Sequence, residues 1–180
     1  MLFIPGFLIS LVTFPGVMIH EYAHKKSCDR RNVSVLDVCY FRLGNPAGYV
    51  RHEKPKRYSD AFVISFAPFA VNTVVALLAF LSAFGVLWAG KTVQVLKLVG
   101  YVVLWIGFSA GMHAIPSNAD ATNVWRHAKE EWRTSVFALL GFPIVVLLYV
   151  ANLLKFFWID AIYALALLVL TIFAIGATMP

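Results

Sequence analysis

Residues 61–90 contain no charged side chain, and that stretch restricts the fold more than any other. Thirty helical residues extend about 45 Å, enough to cross a hydrocarbon core of about 30 Å with tilt or overhang. Inside a bilayer the backbone must satisfy its own amides, so such a stretch has to be helical. Similar apolar spans occupy residues 2–24, 93–114, 134–154 and 161–179. Only 13% of the chain is charged and 61% is hydrophobic, whereas soluble domains are about a quarter charged. The expectation is an all-α polytopic membrane protein, one membrane domain over residues 1–180 with about five transmembrane helices.

The net charge of +6 is not a nucleic-acid signature, because the cations sit in the segments between apolar spans. The loops after the first and third spans hold twelve of the fifteen Lys and Arg residues; Lys91, Lys97 and Lys155 are the other three. The positive-inside rule then puts the twelve-residue side in the cytoplasm, with the lipid bilayer as surroundings and no nucleic acid partner. Five alternating crossings place the N-terminus outside and the C-terminus inside. No basic residue precedes the first span, so no cleavable signal peptide is expected. Cys28 and Cys39 are too few for a disulfide framework.

The cytoplasmic segment between the first two spans has structure of its own. Val33 to Leu43 is rich in β-branched and aromatic residues, Gly44-Asn45-Pro46-Ala47-Gly48 signals a turn, and Tyr49-Val50-Arg51-His52 resumes an extended pattern. This predicts a β-hairpin over about residues 33–53. It serves either as a lid on the membrane face or as a strand that pairs an extended substrate along Tyr49, Val50 and Arg51.

The first span closes on His20-Glu21-Tyr22-Ala23-His24. Four helical residues advance about 400°, so the two histidines share one face and can grip one metal ion, while Glu21 stands beside them to take a proton from water. Ionisable residues at the end of an uncharged span are costly and usually functional. A catalytic zinc takes a third protein ligand. Asp120, just beyond the third span, is the leading candidate; His113 is the runner-up, and Cys28 joins only if the helix continues. The other reading of Asp120 is a helix cap. In the second span, Asn72 is either an inter-helix hydrogen-bonding residue or a donor to the oxyanion of amide hydrolysis.

His-Glu-x-x-His at the end of one span, Pro68 and Asn72 early in the next, and Pro116 then Asp120 after the third together resemble the site-2 protease family of intramembrane zinc metalloproteases. The resemblance covers residues 14–123. Ala67 stands where the family motif has glycine, Asn72 lies one residue further from its proline, and Asp120 is followed by Ala121 rather than glycine. It implies a three-helix core over residues 1–123, zinc held by His20, His24 and Asp120, Glu21 as catalytic base and Asn72 as a catalytic donor, with residues 134–180 as two accessory helices. The implied activity is a zinc-dependent endopeptidase acting on a membrane protein or peptide substrate. The competing expectation is a metal-binding scaffold or chaperone-like protein that binds helices without cutting them; the presence of Glu21 weighs against it, since a structural site needs no base.

Overall fold

The computed structural model describes residues 4–178. Among them the chain forms seven α-helices and one two-stranded antiparallel sheet: an all-α polytopic protein with a small β-hairpin, as the apolar spans require. Residues 2–3 and 179, the outer ends of the first and last expected spans, lie outside the described residues. Four helices are long and apolar enough to cross a membrane. They are α3 (Tyr58–Ala89), α4 (Gln94–Met112), α6 (Val136–Leu154, continued by a 3-10 turn at Lys155–Phe157) and α7 (Ile159–Thr178).

The first expected span is broken. α1 (Gly6–Val12) and α2 (Phe14–Arg30) meet at 90°. Pro15, in the first turn of α2, has no N–H to continue a helix from α1. Side chains of α4 satisfy the carbonyls exposed at the bend. Trp105 Nε1 donates to the Val12 carbonyl at 2.9 Å and Ser109 Oγ to the Thr13 carbonyl at 2.7 Å. The same hydroxyl accepts from the Gly16 N–H at 2.7 Å. Gly16 is required here, because a Cβ would overlap the Ser109 carbonyl.

α3, about 48 Å long by its residue count, orders the rest. At its basic end the Tyr58 N–H donates to Glu131, at the close of α5 (Asn118–Glu131), and Asp60 meets Arg31, just past α2. Midway, the buried Asn72 amide donates to the Gly16 and Ala110 carbonyls at 3.2 Å each, joining α2, α3 and α4. Further along, Phe80 packs on Gly107 and Leu87 on Gly100. Thus α2 and α5 flank the first half of α3, α4 flanks the second half, and all three run antiparallel to it.

The last two helices run end to end and not side by side. α6 climbs beside α5: Tyr58 packs on Gly141, Tyr149 meets Thr122 at 3.1 Å and Asn152 donates to the Pro116 carbonyl at 2.9 Å. α7 then continues in the same direction along the second half of α3. Its Tyr163 hydroxyl meets Thr73 at 2.8 Å, Ala164 lies on Gly111, and Leu170 shares a hollow with Leu77 and Leu81. The end of α7 therefore lies toward the α3–α4 turn, away from the basic end. Lys155 and Asp160, the charged residues between the last two apolar spans, sit at the elbow between α6 and α7, halfway up the molecule. Trp158, in the left-handed region at φ 63°, fixes that elbow by packing on the cluster of Ile9, Met112 and Ala164.

The outer faces of these helices are apolar: Phe137 is 76% exposed, Leu153 72% and Phe173 72%. Such a surface is favourable only against lipid or another apolar partner, and with four candidate crossings it makes this a membrane protein. At the basic end, β1 (Val35–Cys39) and β2 (Tyr49–His52) pair with Val38 opposite Val50 and Cys39 opposite Tyr49. The hairpin falls inside the expected range.

Candidate metal centre

His20 and His24 lie one turn apart on α2, and their Nε2 atoms are 3.2 Å apart. The other nitrogen of each ring is anchored. His20 Nδ1 lies 2.6 Å from the His113 carbonyl, and His24 Nδ1 lies 2.9 Å from the Ile64 carbonyl. A carbonyl only accepts, so each Nδ1 carries a proton and donates it, leaving each Nε2 free to present a lone pair. Both anchors are carbonyls that their helices leave open. Pro68 lacks the N–H that would bond Ile64 four residues back; His113 caps the C-terminus of α4, where carbonyls have no helical donor.

Asp120 completes the cluster. Its Oδ1 is 3.3 Å from His24 Nε2, and its Oδ2 is 4.0 Å from His20 Nε2. Of the two readings weighed from the sequence, the cap is present, and the same carboxylate also faces both histidines. Oδ2 accepts from the Ser117 N–H at 2.8 Å and its hydroxyl at 2.6 Å, while Ser117 Oγ accepts from the Asp120 N–H. This capping box opens α5.

Ligand atoms of the three residues lie within 4.8 Å of one another. Tetrahedral bonds of about 2.0–2.1 Å place neighbouring ligand atoms about 3.3–3.4 Å apart, near two of the three separations found. Two imidazole lone pairs facing a carboxylate repel one another, and a cation among them converts that repulsion into coordination. The residues fit a metal ion on donor chemistry, spacing and orienting partners alike.

Glu21 follows His20 and turns to a neighbouring cavity of about 530 Å³, a volume typical of ligand sites. It is 9% exposed and makes no hydrogen bond or ion pair among the described residues. The cavity is also lined by residues 44–48 and, across from them, by Ser117, Lys155 and Asp160. Gly48 lets the loop approach, since a Cβ there would come within 2.7 Å of Glu21 Cγ.

Other candidates fall elsewhere. Asn72 donates both its amide bonds to core carbonyls, so it ties helices together and has no N–H left for an oxyanion. Tyr49, Val50 and Arg51 are not brought to the cavity: β2 pairs with β1, the Tyr49 hydroxyl donates to Asp37, and the hairpin's share of the lining ends at Gly48. His113 contributes its carbonyl, while its Nε2 meets the Thr13 hydroxyl at 2.7 Å. Cys28, buried near the end of α2, stays outside the cluster. What sequence reasoning missed is the second task of Pro68, whose signal was a proline within an apolar span, and the inward position of Lys155.

Compared with protein-family profiles, curated proteins and solved structures, the chain matches none of them.

Proposed function

We propose that this protein is a zinc-dependent endopeptidase of the site-2 protease kind, hydrolysing peptide bonds of membrane-associated substrates. The observation that carries the reading is the joint geometry of α2: two histidines with their Nδ1 atoms committed to carbonyls, their Nε2 atoms turned to Asp120, and a partnerless Glu21 facing the adjoining cavity. His20, His24 and Asp120 would hold the ion. When bound, zinc supplies Lewis-acid polarisation of the scissile carbonyl and of the attacking water.

The chain's own residues do the rest. The Glu21 carboxylate takes a proton from the attacking water and returns it to the leaving amine nitrogen. Residues 44–48 cover the cavity and limit access of bulk water. A transmembrane helix hides its amides in its own hydrogen bonds, so a substrate reaches Glu21 only as an unwound or terminal segment. With the basic end cytoplasmic by the positive-inside rule, the α3–α4 turn and the carboxyl end of α7 face outside.

The test is cleavage of membrane-tethered peptides by the purified protein in lipid nanodiscs, with metal content measured on the same sample. About one zinc per chain, and cleavage abolished by a chelator and restored by zinc, are expected. Metal-free protein that cleaves equally well contradicts the reading.

A further inference from the structure

Lys155 is the cation of the cavity that Glu21 faces. Its ammonium makes one hydrogen bond among the described residues, to the Ile115 carbonyl at 3.3 Å, and is in no ion pair among them. Asp160 lines the same cavity, but its carboxylate accepts from the Ala161 N–H at 2.9 Å at the start of α7 and is not in ion-pair contact with Lys155. Two of the three ammonium donors therefore have no acceptor among the described residues. A partly buried charge in no direct ion pair is costly, and the Asp160 and Asp120 carboxylates attract this one only through space. The open carbonyls past α4 and the C-terminus of α6 offset some of that cost, yet neither supplies a full negative charge.

We propose that Lys155 anchors a carboxylate of the substrate, from either an acidic side chain or a free C-terminus, and so sets which peptide bond is presented to Glu21. This rests on the peptidase reading. A carboxylate supplies the missing charge and can accept two N–H bonds. Glu21 repels an anion at its own part of the cavity, while Asp160, at the Lys155 elbow, is engaged by the Ala161 N–H. The substrate acid is thereby confined to the Lys155 end, which fixes register along the peptide. The elbow between α6 and α7 has a purpose on this account: it brings a lysine, otherwise destined for a surface turn, to mid-height beside the candidate centre.

The experiment uses full-length protein in phosphatidylcholine nanodiscs. The probes are peptides with one apolar segment, carrying a single Glu or Gln at successive positions, each with a free or an amidated C-terminus. The readouts are the bond cleaved, kcat/KM, and binding to Glu21→Gln protein by fluorescence anisotropy. One carboxylate position, in the chain or at its end, is expected to raise both binding and kcat/KM about 10- to 100-fold over its neutral counterpart; which one identifies the source of the carboxylate. In Lys155→Gln that ratio falls to unity, and in Lys155→Arg it persists. Because each ratio compares two peptides on one protein, partial misfolding of a variant does not mimic the result. Cleavage by wild type with no carboxylate preference, or a preference that survives Lys155→Gln, overturns the anchor alone. No cleavage of any peptide overturns the peptidase reading, and the anchor with it.

Discussion

Pro68 aims His24. The proline cannot donate to the Ile64 carbonyl four residues earlier on α3, and His24 Nδ1 takes the vacated place at 2.9 Å. One helix's defect thus becomes the orienting partner of another helix's candidate ligand. Pro68→Ala restores the helical N–H, which competes for that carbonyl. The variant is expected to stabilise α3, by at most about 3 kcal/mol, while zinc affinity falls about 10- to 100-fold. Chelator competition and thermal unfolding in the same detergent check both. An affinity equal to wild type would mean that the Ile64 carbonyl does not hold the ring.

Asp120 caps α5 and faces the two histidines of the candidate metal centre through one carboxylate, and substitutions should separate the two duties. Asp120→Asn keeps an oxygen for the Ser117 N–H and removes the charge, so metal is lost while the helix start survives. Ser117→Ala removes the cap, at a cost of about 0.5–2 kcal/mol, and weakens metal binding by loosening the carboxylate. Metal stoichiometry and unfolding midpoints for the two variants should therefore move in different proportions. Full zinc occupancy in Asp120→Asn would exclude the carboxylate as a ligand.

Much of this was legible in the sequence because its signals are local. Uncharged runs long enough to cross a bilayer gave the helices, the glycine-proline turn gave the hairpin, and the spacing of His20 and His24 gave a shared helix face. What escaped depends on where helices lie relative to each other. Lys155 and Asp160 read as a surface turn, since charge between two apolar runs normally marks the end of a crossing; only the packing of α6 on α5 shows that the turn is internal. Asn72 has the same chemistry whether it serves an oxyanion or a carbonyl, and only the approach of Gly16 and Ala110 decides. Likewise Asp120 as cap or candidate ligand was a choice at the level of sequence, and the structure shows a cap whose other oxygen lies beside His24.

The close approach of α2 and α4 depends on Gly16. Gly16→Ala forces a Cβ into the Ser109 carbonyl and disturbs the two hydrogen bonds the Ser109 hydroxyl makes at the bend. A loss of about 1–3 kcal/mol is expected from such overpacking, read as a lower thermal midpoint, with metal binding impaired because His20 moves with the helix. An unchanged midpoint would show that α2 sits further from α4.

Topology gives an independent check. α7 runs in the same direction as α3, so Gly176→Cys, at a position with open space around it, should label from the same side of the membrane as Lys91→Cys. Cys39, in the hairpin, should label from the opposite side. An impermeant thiol reagent on sealed, oriented vesicles distinguishes them. Labelling of Gly176→Cys together with Cys39 would restore five alternating crossings and contradict the end-to-end course of α6 and α7.

Glu21 separates an enzyme from a metal-holding scaffold. The carboxylate is not among the three ligands and bonds to nothing in the described residues, so its replacement should leave fold and metal in place. Glu21→Gln keeps the shape and cannot accept a proton. The decisive measurement is zinc content and cleavage of a membrane-tethered peptide, made side by side on wild type and Glu21→Gln. The account predicts near-equal zinc, and cleavage lower by about 10²–10⁴-fold. Cleavage by Glu21→Gln at the wild-type rate, with zinc retained, would contradict it.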